Sequence, residues 1–268
     1  QGSDPTPLHA NDDFVLFTAS SPTYGAELFV SDGTKQGTKL LKDFSTGGSI
    51  FRQFVDFNNH VFFNVFYASA KEIWYTDGTS DGTKLLYKSS TLNGSTHMQM
   101  AVFNNSLFFQ EQISADSFYI KRVDTMLGKP VIVSRHAHGQ QYAKSNLVTT
   151  ENYLFYAFND QIYRIGKSFN APVKYFERSA SSAGDIPYLY SHNNTVIWYM
   201  RESGSRTMMY AGKESVGSHK EVEKVYGYVY FRDFATVGQF FYYSEAAYNG
   251  NPQLQRLNTN TLTQEEVR

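Results

Sequence analysis

The segment Glu27-Leu28-Phe29-Val30-Ser31-Asp32-Gly33-Thr34-Lys35-Gln36-Gly37-Thr38-Lys39-Leu40-Leu41-Lys42 returns further along as Glu72-Ile73-Trp74-Tyr75-Thr76-Asp77-Gly78-Thr79-Ser80-Asp81-Gly82-Thr83-Lys84-Leu85-Leu86-Tyr87. A repeat at an offset of about 45 residues restricts the fold to an array or a propeller, in which each supersecondary unit buries its faces against its neighbours.

A second marker carries the period through the chain. A polar pair precedes an apolar-aromatic triplet at Asp12-Asp13 with Val15-Leu16-Phe17, at Asn58-Asn59 with Val61-Phe62-Phe63, and at Asn104-Asn105 with Leu107-Phe108-Phe109. Weaker copies stand at Leu154-Phe155-Tyr156, Val196-Ile197-Trp198 and Phe240-Phe241-Tyr242. A third strand keeps the same phase at Leu28-Phe29-Val30, Ile73-Trp74-Tyr75, Phe118-Tyr119-Ile120, Ile162-Tyr163-Arg164, Met208-Met209-Tyr210 and Leu254-Gln255-Arg256. Both markers agree on six units.

Each unit reads as four short strands. In the second they are Gln53 to Phe57, the stretch after Asn59, the stretch ending at Asp77-Gly78, and Thr83 to Lys88. Asparagine pairs tolerate left-handed backbone angles, and Asp-Gly suits a turn that needs positive φ. Phe and Tyr, at 22 and 20 residues, add strand propensity. The pattern predicts an all-β chain folded as a single six-bladed β-propeller of four-stranded antiparallel blades, which protects its sheet edges by radial packing. Gln1-Gly2-Ser3 reads as the remnant of a cleaved tag, so residues 1–5 are expected to be tag and linker. The propeller is expected over 6–268, with units at about 6–45, 46–90, 91–135, 136–180, 181–226 and 227–268.

The two strict copies resemble the repeats summarised as Glu-Leu-Trp-x-x-Asp-Gly-Thr-x-x-Gly-Thr, found in tandem in many secreted or surface bacterial proteins and in some eukaryotic ones. Glu27, Phe29, Asp32, Gly33, Thr34, Gly37 and Thr38 carry the likeness in the first copy. Glu72, Trp74, Asp77, Gly78, Thr79, Gly82 and Thr83 carry it in the second. The resemblance implies a β-propeller displayed outside the cell or in a secretory compartment. It brings no shared catalytic set.

Charge excludes some partners. With 24 basic and 25 acidic residues there is no bulk field to hold nucleic acid, and none is expected as a partner. The apolar stretches are strand-sized, so no membrane insertion is expected. Cysteine is absent, which removes disulfides, zinc-thiolate sites and thiol nucleophiles. Three glycosylation sequons fall in expected turns or loops, with acceptors Asn93, Asn104 and Asn193.

The side chains with chemical potential are few. Asp32, Asp77, Thr34 and Thr79 read as turn-forming residues that bond their own backbone, rather than as calcium ligands. His136-Ala137-His138 is the close histidine pair, set in the expected loop between units three and four, with His97 at the junction one unit earlier. Two such histidines can share a metal on an extended loop, but no carboxylate has a matching spacing. A solvated loop is the expectation, with no metal and no cofactor. Phe62, Phe108, Phe155 and Trp74 are expected between blades, whereas Tyr142 and Tyr188 lie near junctions. His97, His136, His138, Tyr142, Tyr188 and Arg135 are therefore the candidate ligand contacts.

No phosphate-binding glycine loop, nucleophile elbow or zincin motif occurs. The sialidase Asp-box is not reproduced by Ser31-Asp32-Gly33-Thr34, whose Asp and Gly are adjacent. The function expected is that of a secreted or surface-displayed, non-enzymatic binding module, monomeric, presenting inter-blade loops to a protein or glycan. The alternatives are a glycan-active hydrolase with its site at the central channel mouth, and a structural repeat segment of a longer surface protein.

Overall fold

A computed structural model describes residues 3–44, 49–67, 71–89, 98–114, 117–125, 128–137, 146–177, 188–202, 206–226, 234–245 and 253–267. Its regular elements among these residues are all β-strands, arranged as six four-stranded antiparallel sheets. Residues 1–132 form one compact unit and 133–268 a second.

In the first unit, sheet one runs in the order β1 (Thr6–Ala10), β2 (Val15–Ser21), β3 (Gly25–Ser31), β4 (Lys39–Lys42). Sheet two follows as β5 (Ile50–Phe57), β6 (His60–Phe66), β7 (Lys71–Thr76), β8 (Lys84–Lys88). Sheet three holds β9 (Met100–Phe103), β10 (Ser106–Ser114), β11 (Ser117–Val123) and β12 (Val131–His136), the last running past the division between units.

The turns follow from their residues. Asn58 and Asn59 link β5 to β6 with φ of 49° and 58°, and Asn104 and Asn105 link β9 to β10 with 46° and 57°. Two successive left-handed residues make the type I′ turn, whose twist matches that of a hairpin. The Asp12-Asp13 turn is built differently from this expectation. There Asn11 Oδ1 accepts from the backbone N–H of Asp13 and of Phe14, at 3.0 and 2.9 Å, an Asx turn led by the residue before the pair.

The Asp-Gly-Thr segments are self-bonded loops. Asp32 Oδ1 accepts from the Thr34 backbone N–H at 2.9 Å and from its hydroxyl at 2.7 Å, while Gly33 takes φ of 88°. Those two bonds hold the Asp32 carboxyl below the usual carboxylate range. Asp77, Gly78 and Thr79 repeat the arrangement at the same distances and the same φ. A β-carbon on Gly37 or Gly82 would collide with the Asp32 or Asp77 carboxylate, which explains the second glycine of the motif.

Sheets pack face to face. On β6, Val61, Phe63 and Val65 join Leu16, Leu28, Val30, Leu41 and Phe51 in one core, while Phe62 joins Phe57, Ile73, Tyr75, Leu107 and Phe109 in another. Alternate side chains thus enter opposite cores, and a strand buried on both faces reads as a continuous apolar run. Phe62, Phe108 and Phe155 are fully buried. Trp74 is half-buried against the first core, with its indole N–H donated to Glu72 at 2.8 Å.

In the second unit, sheet four runs β13 (Val148–Thr149), β14 (Tyr153–Phe158), β15 (Gln161–Gly166), β16 (Val173–Glu177). Sheet five is β17 (Tyr188–His192), β18 (Thr195–Glu202), β19 (Arg206–Lys213), β20 (Lys220–Tyr226). Sheet six is β21 (Phe234–Val237), β22 (Phe240–Glu245), β23 (Gln253–Asn258), β24 (Thr263–Glu266). Phe155, Ile162 and Phe176 meet Leu189, Trp198 and Met208 in one core, and Tyr190, Ile197 and Met209 meet Phe241, Tyr243 and Leu257 in the next.

One irregularity recurs across both units. The ladder between third and fourth strands slips by one residue at Leu28/Phe29, Ile73/Trp74, Ile162/Tyr163 and Met209/Tyr210. The residue left unpaired in the fourth strand is Leu41, Leu86, Tyr175 or Val222, each packed in or against an apolar core. An extra residue in one strand bends it and re-aims its side chain.

Candidate functional site

Tyr188 opens β17, and its side chain is 39% exposed. Tyr190 lies two residues on, on the same face, while Leu189 between them points into the opposite core and is fully buried. The Tyr188 and Tyr190 rings are 5.8 Å apart, and Tyr190 meets Phe234 edge-on at 4.7 Å. Phe234 opens β21, stacks on Phe241 at 5.3 Å, and remains 51% exposed. Burial, and then the neighbouring Tyr199 and Tyr188, push the Tyr190 hydroxyl above its ordinary value. The Tyr190 hydroxyl therefore stays neutral at physiological pH. The result is an aromatic step in which Tyr190 is fixed by packing and Tyr188 and Phe234 present ring surface to solvent.

Such a step can stack flat apolar faces and offer phenolic hydrogen bonds. Tyr188 is the candidate contact that the sequence singles out here. The sequence does not mark Phe234 or Tyr199, although the Tyr188-Leu189-Tyr190 alternation signals an aromatic strand face. Phe234 depends on the neighbouring sheet for its role, and no local pattern marks it.

His136 differs from the solvated-loop expectation. It is the last residue of β12, and its ring lies 4.6 Å from Phe158, 5.0 Å from Tyr163 and 5.4 Å from Tyr156. Its Nε2 is 2.8 Å from Ser134 Oγ and 2.9 Å from the Tyr156 hydroxyl. Burial lowers the imidazole pKa from 6.5 to about 4, so the ring is neutral near pH 7. Strand alternation explains the orientation, because Ser134 and His136 share the inward face while Arg135 between them is exposed.

His97, His138, Tyr142 and the sequon acceptor Asn93 lie outside the described residues. Asn104 is exposed at the left-handed turn before β10. Asn193 occupies the equivalent turn before β18 with φ of 47°, and its Nδ2 donates to the Gly238 carbonyl at 2.7 Å.

No family model matches the chain, and no curated protein does. Solved structures do. A puromycin hydrolase aligns with a TM-score of 0.66 at 11% identity, over 99% of this chain and 45% of that one. A prolyl endopeptidase aligns at 0.62 and 12%, over 98% and 42%. Oligopeptidase B from Trypanosoma brucei aligns at 0.59 and 10%, over 100% and 41%. The matched regions are peptidase β-propeller domains, so the likeness is one of fold. This chain spans less than half the length of each.

Proposed function

We propose that the six sheets form one six-bladed β-propeller, and that it serves as a secreted or surface-displayed binding module that holds a glycan without turning it over. Support for the ring comes from the two sequence markers that agree on six units, from the face-to-face packing within each unit, and from the propeller domains the chain resembles. Support for an extracellular setting comes from the Asp32-Gly33-Thr34 and Asp77-Gly78-Thr79 segments, whose likeness is to repeats of secreted and surface proteins.

The observation that carries the binding role is the aromatic step at Tyr188, Tyr190 and Phe234. Tyr190 is anchored between Tyr188 and Phe234, which expose ring surface at the starts of two adjacent first strands. Rings already fixed by their neighbours lose little conformational freedom when they take a ligand, so their contact area contributes efficiently to affinity. Sugar rings present flat C–H faces that suit such a surface.

A glycan array probed with the purified protein and with Tyr188→Ala/Phe234→Ala, with bound sugars recovered for mass analysis, tests this reading. Saturable binding that the double variant loses, with the sugars recovered intact, is the expected result. Cleaved sugars would overturn the non-enzymatic role. Absence of glycan binding by folded protein would overturn the glycan and direct the search to protein partners.

A further inference from the structure

Arg164 in β15 and Arg256 in β23 stand at the same place in their repeats. Each guanidinium lies over an aromatic ring of the second strand, Arg164 at 4.2 Å from the centre of Tyr153 and Arg256 at 4.3 Å from that of Phe240. Their electrostatic surroundings differ. Across the ladder from Arg256 is Glu265, whose carboxylate accepts from Nε at 2.9 Å and pairs with Nη2 at 2.7 Å. Across from Arg164 is Val173, an exposed aliphatic residue.

Arg164 gives one N–H to the backbone carbonyl of Glu214, and its Nε is buried with no acceptor among the described residues. A guanidinium carries five donors in a planar fork, and Arg164 lines the adjoining surface with that buried Nε still lacking an acceptor. That surface is concave. Asn152, Tyr153 and Arg164 are the shared wall of two hollows of about 470 and 450 Å³, one reaching Lys167 and the other Lys213 and Glu214.

The lining is cationic in effect. Glu214 is its carboxylate, and that group already accepts from the Asn152 backbone N–H at 3.0 Å and from its Nδ2 at 2.9 Å. Lys213 donates to Thr195 Oγ1 at 2.8 Å and has no ion-pair partner among the described residues. Burial lowers its pKa, a cost that a nearby anion would offset. Hollows of this size lie within the range of small-molecule sites, roughly 300–1,000 Å³.

We propose that this cleft binds a small carboxylic acid of the uronate type, its carboxylate taking beside Arg164 the place that Glu265 takes beside Arg256. A planar carboxylate matches the guanidinium fork, and Lys213 adds charge from the second hollow. The proposal is independent of the glycan reading, because its residues are not those of the Tyr188 step.

Calorimetric titration of the full chain with glucuronate tests it, with glucose, sulfate and inorganic phosphate as separate arms. Saturable, salt-sensitive binding of glucuronate is expected, with none of glucose and weaker binding of the bare oxyanions. Arg164→Gln is expected to weaken binding by about tenfold or more, the worth of one charge-assisted bond. The decisive variant is Val173→Glu, which restores the sheet-six pairing at an exposed position. It should abolish glucuronate binding while keeping or raising the melting temperature, so lost affinity is not confused with lost fold. Val173→Glu protein that binds as tightly as the wild type, glucose that competes equally, or no glucuronate binding would overturn the proposal. Sulfate or phosphate binding as tightly as glucuronate would overturn the carboxylate assignment.

Discussion

The hydroxyl of Tyr175 stands in the space that a β-carbon on Gly212 would fill, and it donates to the Lys213 carbonyl at 2.7 Å. Ser218 Oγ donates to the same carbonyl at 2.7 Å, so the turn between β19 and β20 is docked onto sheet four at one oxygen. Gly212→Ala forces a methyl against that hydroxyl and is expected to cost about 1–3 kcal/mol, as overpacking does. Tyr175→Phe alone removes one hydrogen bond and should cost about 0.5–1.5 kcal/mol. In urea denaturation the double variant should be more stable than the sum of the two losses implies, because removing the hydroxyl relieves the collision.

Glu111 in β10 is a buried carboxylate with a full set of donors. The Tyr87 hydroxyl reaches both its oxygens, at 3.0 and 2.9 Å, Ser89 Oγ donates at 2.6 Å, and Lys121 completes an ion pair. Lys121→Met would break that buried ion pair, and about 3–5 kcal/mol of stability should be lost. Glu111→Leu/Lys121→Met should recover the larger part of the loss in the same denaturation assay. Equal losses in both variants would mean that the pair contributes by packing alone.

His136 makes stability pH-dependent in a definable window. Its folded pKa of about 4 lies below the unfolded value of 6.5, so between these values the unfolded chain binds the proton and the folded chain does not. The contribution is complete above pH 6.5 and is lost as pH falls toward about 4. Denaturation midpoints at pH 6.5, 5.5 and 4.5 should therefore fall less steeply in His136→Phe than in the wild type. Parallel slopes would show that the imidazole titrates normally in the folded state.

Much of the sheet order was legible because its signals are local. Asn58-Asn59, Asn104-Asn105 and Asn193-Asn194 each supply two left-handed residues where a two-residue hairpin turn requires them. The recurrent ladder slip outlasts the motif, since sheets four and five keep it with Tyr175 and Val222 after Asp-Gly-Thr has gone. A bulge needs only an apolar residue able to turn into the core, and that constraint leaves a faint trace in one sequence. The surroundings of His136 and Arg164 were not legible for a different reason. His136 stands in a polar run, yet strand alternation turns it into a cage built by the next sheet. The character of Arg164 depends on facing Val173 rather than a carboxylate, a fact of register that the slip at Ile162/Tyr163 shifts by one residue.

The role proposed for the aromatic step is binding without catalysis. Its most direct test is calorimetric titration of a glycan that the array retains into wild type, Tyr188→Ala and Phe234→Ala, with the glycan recovered and weighed by mass spectrometry after prolonged incubation. The expected result is an affinity about tenfold or more weaker in each variant while the protein stays folded at the assay temperature, since truncating a ring at the centre of an interface costs upwards of about 1.4 kcal/mol, and glycan of unaltered mass throughout. Unchanged affinity in both variants would remove the step from recognition, and a shortened glycan would make the protein an enzyme.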